Sequence, residues 1–102
     1  MDNVLLSKIK DKKQILLLDG FEIVGVFGSF AKGNENADSD IDLLYNINPI
    51  FLKKYGGFQA FARLNEIKKE LKTYLDHDVD LATIDNHSNT FKTYALKDVI
   101  YV

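Results

Sequence analysis

Two apolar runs lie close together, and their spacing constrains the fold more than any other feature of this sequence. The first is Glu22-Ile23-Val24-Gly25-Val26-Phe27 and the second is Asp40-Ile41-Asp42-Leu43-Leu44-Tyr45. β-Branched and apolar residues dominate the first, which reads as a buried strand stopping at Gly28-Ser29. A helical turn is expected from Ser29 or Phe30, broken at Gly33, and then a polar loop through Ser39. That link is too short for a crossover helix, so the two strands are expected to pair antiparallel.

The remaining segments supply the layers around that pair. Asp2 or Asn3 caps a first helix with Leu5, Leu6, Ile9 and Ile15 near helical spacing, ending about Asp19-Gly20. Lys8, Lys10, Lys12 and Lys13, interleaved with Asp11, read as its solvated face. A helical region from Pro49 to Leu75 breaks at Gly56-Gly57, and its second part carries Phe61, Leu64, Ile67, Leu71 and Leu75 three and four apart. Asp78 to Ala82 reads as a third strand, Thr83 to Asn89 as a loop, Asn89 to Leu96 as a short helix, and Val99 to Val102 as a terminal strand. The fold class is α/β (α+β): a small mixed sheet with helices packed on one face. The 102 residues are expected to form one domain, 1–102, and 46% apolar content is enough for a core.

Charge and composition exclude several functions. A net charge of −2 argues against strong nucleic-acid binding, which needs clustered cations to displace counterions. Without cysteine there are no disulfides and no thiolate metal sites. No signal peptide is visible, and the longest apolar run, Ile15 to Leu18, is far too short for a bilayer; a cytoplasmic chain without membrane association is expected. His77 and His87 lack metal-ligand spacing and read as surface or loop residues. The tyrosines read mostly as core or sheet residues. Phe51, Phe58 and Phe61 read as packing residues, with an exposed aromatic partner surface as the alternative.

The chemistry sits at the strand ends. Asp40 and Asp42 are two apart, so on a strand both carboxylates leave the same face while Ile41 and Leu43 enter the core. Paired carboxylates repel, and a hard divalent cation offsets that repulsion. Asp80, flanked by Val79 and Leu81, is the candidate third carboxylate, and Asp78 on the same face is the alternative. Three such groups suit a two-metal site that stabilises attacking and leaving oxygens. Gly28 lets backbone approach a phosphate, and Ser29 adds a hydroxyl donor where backbone N–H groups already favour anions. Lys32 reaches the triphosphate as a point charge, and Ser39 is a weaker candidate phosphate contact.

Gly28-Ser29, ten residues, then Asp40-Ile41-Asp42 resembles the signature of the DNA polymerase β-type nucleotidyltransferase superfamily. The fuller string Gly-Ser-Phe-Ala-Lys-Gly…Ser-Asp-Ile-Asp-Leu-Leu resembles its minimal nucleotidyltransferase (MNT) branch. The resemblance implies a polymerase β palm-like fold, with Asp40, Asp42 and Asp80 binding Mg²⁺ and Gly28 and Ser29 holding the triphosphate of ATP. It further implies a HEPN-domain toxin as partner, AMP transferred to a tyrosine of that toxin, and an antitoxin role. A non-catalytic antitoxin and a small-molecule (antibiotic) adenylyltransferase are the alternatives. Lys32 departs from the branch, where Arg is common; the charge is kept and the bidentate fork is lost.

Overall fold

The computed structural model describes residues 1–36, 38–83 and 96–102. The expected loop after Thr83, most of the expected helix Asn89–Leu96, His87 and Tyr94 lie outside those residues.

Helix α1, Asn3–Leu17, starts where the Asp2 carboxylate accepts the Val4 N–H at 2.9 Å. It buries Leu5, Ile9 and Leu16. Ile15, expected inward, is 59% exposed, and Leu16 takes the inward position instead. Leu16 lies seven residues beyond Ile9, about two turns, whereas Ile15 falls roughly a quarter-turn off that line. The lysine face of α1 is more than a solvated one: Lys8 and Lys12 lie over the Tyr74 ring at 5.7 and 5.1 Å.

Strand β1, Phe21–Phe27, pairs antiparallel with β2, Ile41–Ile47, from Phe21↔Ile47 to Phe27↔Asp42, as the short link requires. The register shifts between Ile23 and Gly25, so Val24 is an extra residue on β1. Strand β3, Val79–Ala82, adds parallel to the free edge of β2, and β4, Ile100–Tyr101, adds antiparallel to β1. The sheet is mixed, with order β3-β2-β1-β4. Tyr101 is a sheet residue on β4, as the sequence suggests for the tyrosines, and is 63% exposed.

Between β1 and β2 lies the single turn α2, Ser29–Lys32. After β2, Asn48 caps α3, Pro49–Lys54, accepting the N–H groups of Ile50 and Phe51, with Pro49 in the first turn. The break at Gly56-Gly57 separates α3 from α4, Phe58–Leu75. Helix α4 buries Ile67, Leu71 and Leu75. Phe61 does not join this stripe and is 70% exposed, because it lies about a third of a turn from Ile67. Phe58 is exposed too, while Phe51 is fully buried, so the three phenylalanines divide between surface and core.

Helices α1 and α4 pack on each other and against the sheet through β1 and β3. Their core takes Phe21, Ile23, Ile41, Leu43 and Val79 from the strands, with Phe21 stacked on Tyr45 at 4.9 Å. Asp19, in the turn after α1, ties that turn to α3 and α4. Its carboxylate accepts from Lys54 at 3.1 Å, from the Tyr55 hydroxyl at 2.9 Å and from Arg63 Nε at 3.0 Å. Burial alone raises the Asp19 pKa, but these hydrogen bonds outweigh it and leave it lowered. Among the described residues no helix is long and apolar enough to cross a membrane.

Candidate active site

Alternation along β2 sends Ile41 and Leu43 into the helix-covered core and Asp42 to the opposite face. Asp40 lies just before β2, and the ladder continues past the strand end, with the Ile41 N–H donating to the Asp78 carbonyl at 2.8 Å. Parallel pairing sets Asp42 beside Asp80. The fold therefore brings Asp40, Asp42, Asp78 and Asp80 to one end of two adjacent strands.

Their electrostatics record the crowding. Partial burial raises the Asp42 pKa, and the charges of Asp80 and then Asp40 raise it further. Asp40 is raised in the same way, by desolvation and by Asp80 and Asp78. Asp78 goes the opposite way: its hydrogen bond and ion pair with Lys72, at 2.8 Å, lower its pKa. Asp80 is paired more loosely, with Lys68 at 3.8 Å, and its carboxylate also interacts with that of Asp40. The two carboxylates left open as alternatives thus differ in structure. Asp78 is committed to a lysine, whereas Asp80 is in register with Asp42 and adds to its charge.

Gly28 ends β1 against this cluster. Its φ and ψ of 76° and −151° lie in a region open to glycine, and a Cβ there would sit 2.1 Å from Asp42 Oδ2. Glycine thus lets the β1–α2 corner pass against the carboxylate. The corner is pinned from below, where buried Phe30 meets His77 edge-on at 5.2 Å. His77 lies in the loop between α4 and β3, as the sequence suggests, and is that packing partner. The leading N–H groups of a helical turn have no partner inside it, and Ser29 carries its hydroxyl at the same place. Gly33 closes α2 in the left-handed conformation. Lys32 is exposed on the last residue of α2. Ser39 is partly used by its own loop, its Oγ accepting the Asn36 N–H at 2.9 Å, although the hydroxyl hydrogen stays available for donation.

Among the described residues, no three His, Cys, Asp or Glu side chains already converge as a metal-ligand set. Asp42 is half-buried and Asp40 and Asp80 are exposed. The donors are all hard carboxylate oxygens, and the charge of Asp80 raises the pKa of Asp40 and Asp42; a divalent cation that also binds phosphate oxygens prefers such a set. Magnesium needs only one or two protein carboxylates when substrate phosphates complete its shell, so the residues present fit it.

Sequence reasoning passed over Lys68 and Lys72 of α4. They stand at i, i+4 spacing, and only the packing of α4 beside β3 makes them neighbours of the carboxylates.

The family profile described as "Polymerase beta, Nucleotidyltransferase" matches residues 6–102. Protein adenylyltransferase MntA of Thermococcus cleftensis is 28% identical over 91 residues, covering 89% of this chain and 84% of that protein. A Methanocaldococcus jannaschii chain assigned as a protein adenylyltransferase is 28% identical over 103 residues, covering 95% of this chain and 97% of its own. A solved structure assigned as a minimal nucleotidyltransferase aligns over 100% of this chain and 97% of its own, with TM-score 0.73 and 26% identity. A toxin-antitoxin structure with AMP-PNP shares the fold at TM-score 0.61 and 21% identity, over 93% of this chain and 69% of its own. The glycine corner set against paired strand carboxylates therefore lies inside a sequence match that leaves out only the first five residues, and the chain belongs to the polymerase beta nucleotidyltransferase family.

Proposed function

We propose that the chain transfers AMP from ATP to a hydroxyl of a partner protein, and that the partner is a HEPN-domain toxin modified on a tyrosine and thereby neutralised. The observation that carries this reading is the parallel register of Asp42 and Asp80 beside Asp40, against a glycine corner that only a missing side chain permits. The adenylyl donor and the protein acceptor are supported by relatives named as protein adenylyltransferases.

Asp40, Asp42 and Asp80 would hold Mg²⁺, which when bound would neutralise charge on the phosphates and on the attacking and leaving oxygens. Ser29 and the leading N–H groups of α2 bind the β- and γ-phosphates, with Lys32 adding a positive charge from the end of the same turn. The acceptor hydroxyl oxygen bonds to the α-phosphorus as the bond from that phosphorus to the bridging oxygen breaks. Pyrophosphate leaves, and the hydroxyl proton passes to the Asp80 carboxylate. Asp42, half-buried and in register with Asp80, orients it for that transfer.

The test combines the protein, Mg²⁺, α-labelled ATP and a HEPN partner protein. Label on a partner tyrosine is expected, with none from the Asp40→Asn, Asp42→Asn double variant. An unlabelled partner, or label that survives the double substitution, refutes the reading. Neutralisation of the toxin by the unreactive double variant would make binding alone the antitoxin mechanism.

A further inference from the structure

The carboxylates border a cavity of about 390 Å³ on the side away from Gly28. Asp40, Asp78 and Asp80 form one wall, and Asn65, Lys68, Lys69 and Lys72 of α4 form the other. The spacing of those four, i, i+3, i+4 and i+7, puts them on one helix face. The same face continues toward the helix start with Phe61 and Phe58, which are 70% and 93% exposed. The outer face of α4 therefore carries two bare aromatic rings at one end and three lysines at the other, with the lysine end beside the carboxylates.

Sheet order gives this cavity a direction. Gly28 and Ser29 lie on the β1 side of Asp42, and the cavity lies on the β3 side. In-line displacement puts the attacking oxygen opposite the leaving pyrophosphate. With the triphosphate at Gly28-Ser29, the acceptor enters from β3. Resting on the transfer reaction proposed above, we infer that the α4 cavity is the acceptor subsite and takes a protein segment with acidic side chains beside its reactive hydroxyl.

Charge complementarity carries the choice of occupant. Lys72 is held by Asp78, but Lys68 makes only the 3.8 Å contact with Asp80, and Lys69 makes no ion pair among the described residues. The Lys69 ammonium is thus available to a carboxylate of an incoming segment, and that of Lys68 is held only loosely. Phe58 and Phe61 favour a protein over a small anion, since they offer apolar area roughly 11–15 Å along the helix from Lys68. The lysines are too few for a nucleic-acid track.

Two tyrosine peptides identical except for flanking residues test the assignment, one with glutamates beside the tyrosine and one with lysines. Binding is read by fluorescence anisotropy in the presence of Mg²⁺ and a non-hydrolysable ATP analogue, and AMP incorporation with labelled ATP. The acidic peptide is expected to be preferred about tenfold. Lys69→Gln should abolish most of that preference and Lys69→Glu should reverse it, a swap that damage to the fold does not produce. Equal handling of the two peptides, binding of neither, or a preference untouched by Lys69→Glu overturns the assignment. Failure of the transfer reaction itself is read separately: the wild-type protein would then not bind the ATP analogue, or the Asp40→Asn, Asp42→Asn variant would label as well as wild type.

Discussion

Substituting alanine at Gly28 and at Gly33 separates two roles that glycine plays in the α2 corner. Both residues have positive φ, 76° and 77°, so each alanine is strained. At Gly33 the conformation is left-handed helical, and strain costs about 1–2 kcal/mol. At Gly28 the region is nearly exclusive to glycine, and the cost is about 1–3 kcal/mol. For a chain of this size each kcal/mol lowers Tm by roughly 4–8 °C. The surroundings differ sharply. A Cβ at Gly33 meets nothing within 4 Å, whereas one at Gly28 would lie 2.1 Å from Asp42 Oδ2. Asp42 can relieve that overlap only by turning its carboxylate aside by about 1 Å, given ordinary contact distances. Moving the end of a side chain adds little to the stability cost, but it displaces a proposed metal ligand. A misplacement of about 1 Å costs on the order of a hundredfold in rate. Gly28→Ala is therefore expected to lose about a hundredfold in AMP transfer and to lack the Tm increase expected of the wild-type protein with Mg²⁺·ATP. Gly33→Ala should melt lower as well, yet keep most of its activity at temperatures where it is folded. Thermal melts with and without Mg²⁺·ATP, beside initial rates at 20 °C or below (roughly), make the comparison. Wild-type rates in Gly28→Ala, or equal losses in both variants, would refute the role given to the Gly28–Asp42 contact.

Asp80→Asn is expected to cost at least about a hundredfold in transfer rate, and Asp78→Asn less than about tenfold, measured as initial rates with saturating ATP. The raised pKa values of Asp40 and Asp42 mean that the folded protein binds protons there more tightly than the unfolded chain, so the charged carboxylates destabilise the fold at neutral pH and the penalty fades as pH falls through the raised values. Asp42→Asn should accordingly raise Tm at pH 7 in the absence of metal, by an amount that shrinks toward about pH 4, read from thermal melts across that range. Arg63→Ala removes the Nε and Nη2 contacts to Asp19, at 3.0 and 2.9 Å, from a side chain that is only 16% exposed, and should cost roughly 2 kcal/mol in a urea titration with unchanged slope. Ile67→Ala, at a fully buried position on α4, should cost about 2–5 kcal/mol in the same assay.

What the sequence disclosed and what it withheld follow from the range of the interactions. The cap at Asp2, the helix start at Pro49, the stop at Gly28 and the turn ended by Gly33 depend on neighbours a few residues away, and the structure has them where the sequence placed the breaks. The shared face of Asp40 and Asp42 is equally local, since it needs only a period of two. Helix phase was less secure. Ile15 and Leu16 are adjacent and both apolar, and which one enters the core is set by where α1 meets the sheet. The Asp19–Arg63 contact spans 44 residues and leaves no local signal. The same holds for the acidic cluster. Alternation puts Asp78 and Asp80 on one face, but nothing local tells which of them lies beside Asp42. The answer comes from β3 adding parallel to β2 in the register Asp42↔Asp80, and from Lys72 occupying Asp78. That register also turns the i, i+3, i+4, i+7 face of α4 from an ordinary charged surface into one wall of the cavity. The proposed donor end of the site is thus written in contiguous residues, while the proposed acceptor end is assembled by the sheet edge and the helix that packs beside it. On that proposal, changes on the outer face of α4 alter the acceptor without disturbing the Gly28–Asp42 corner.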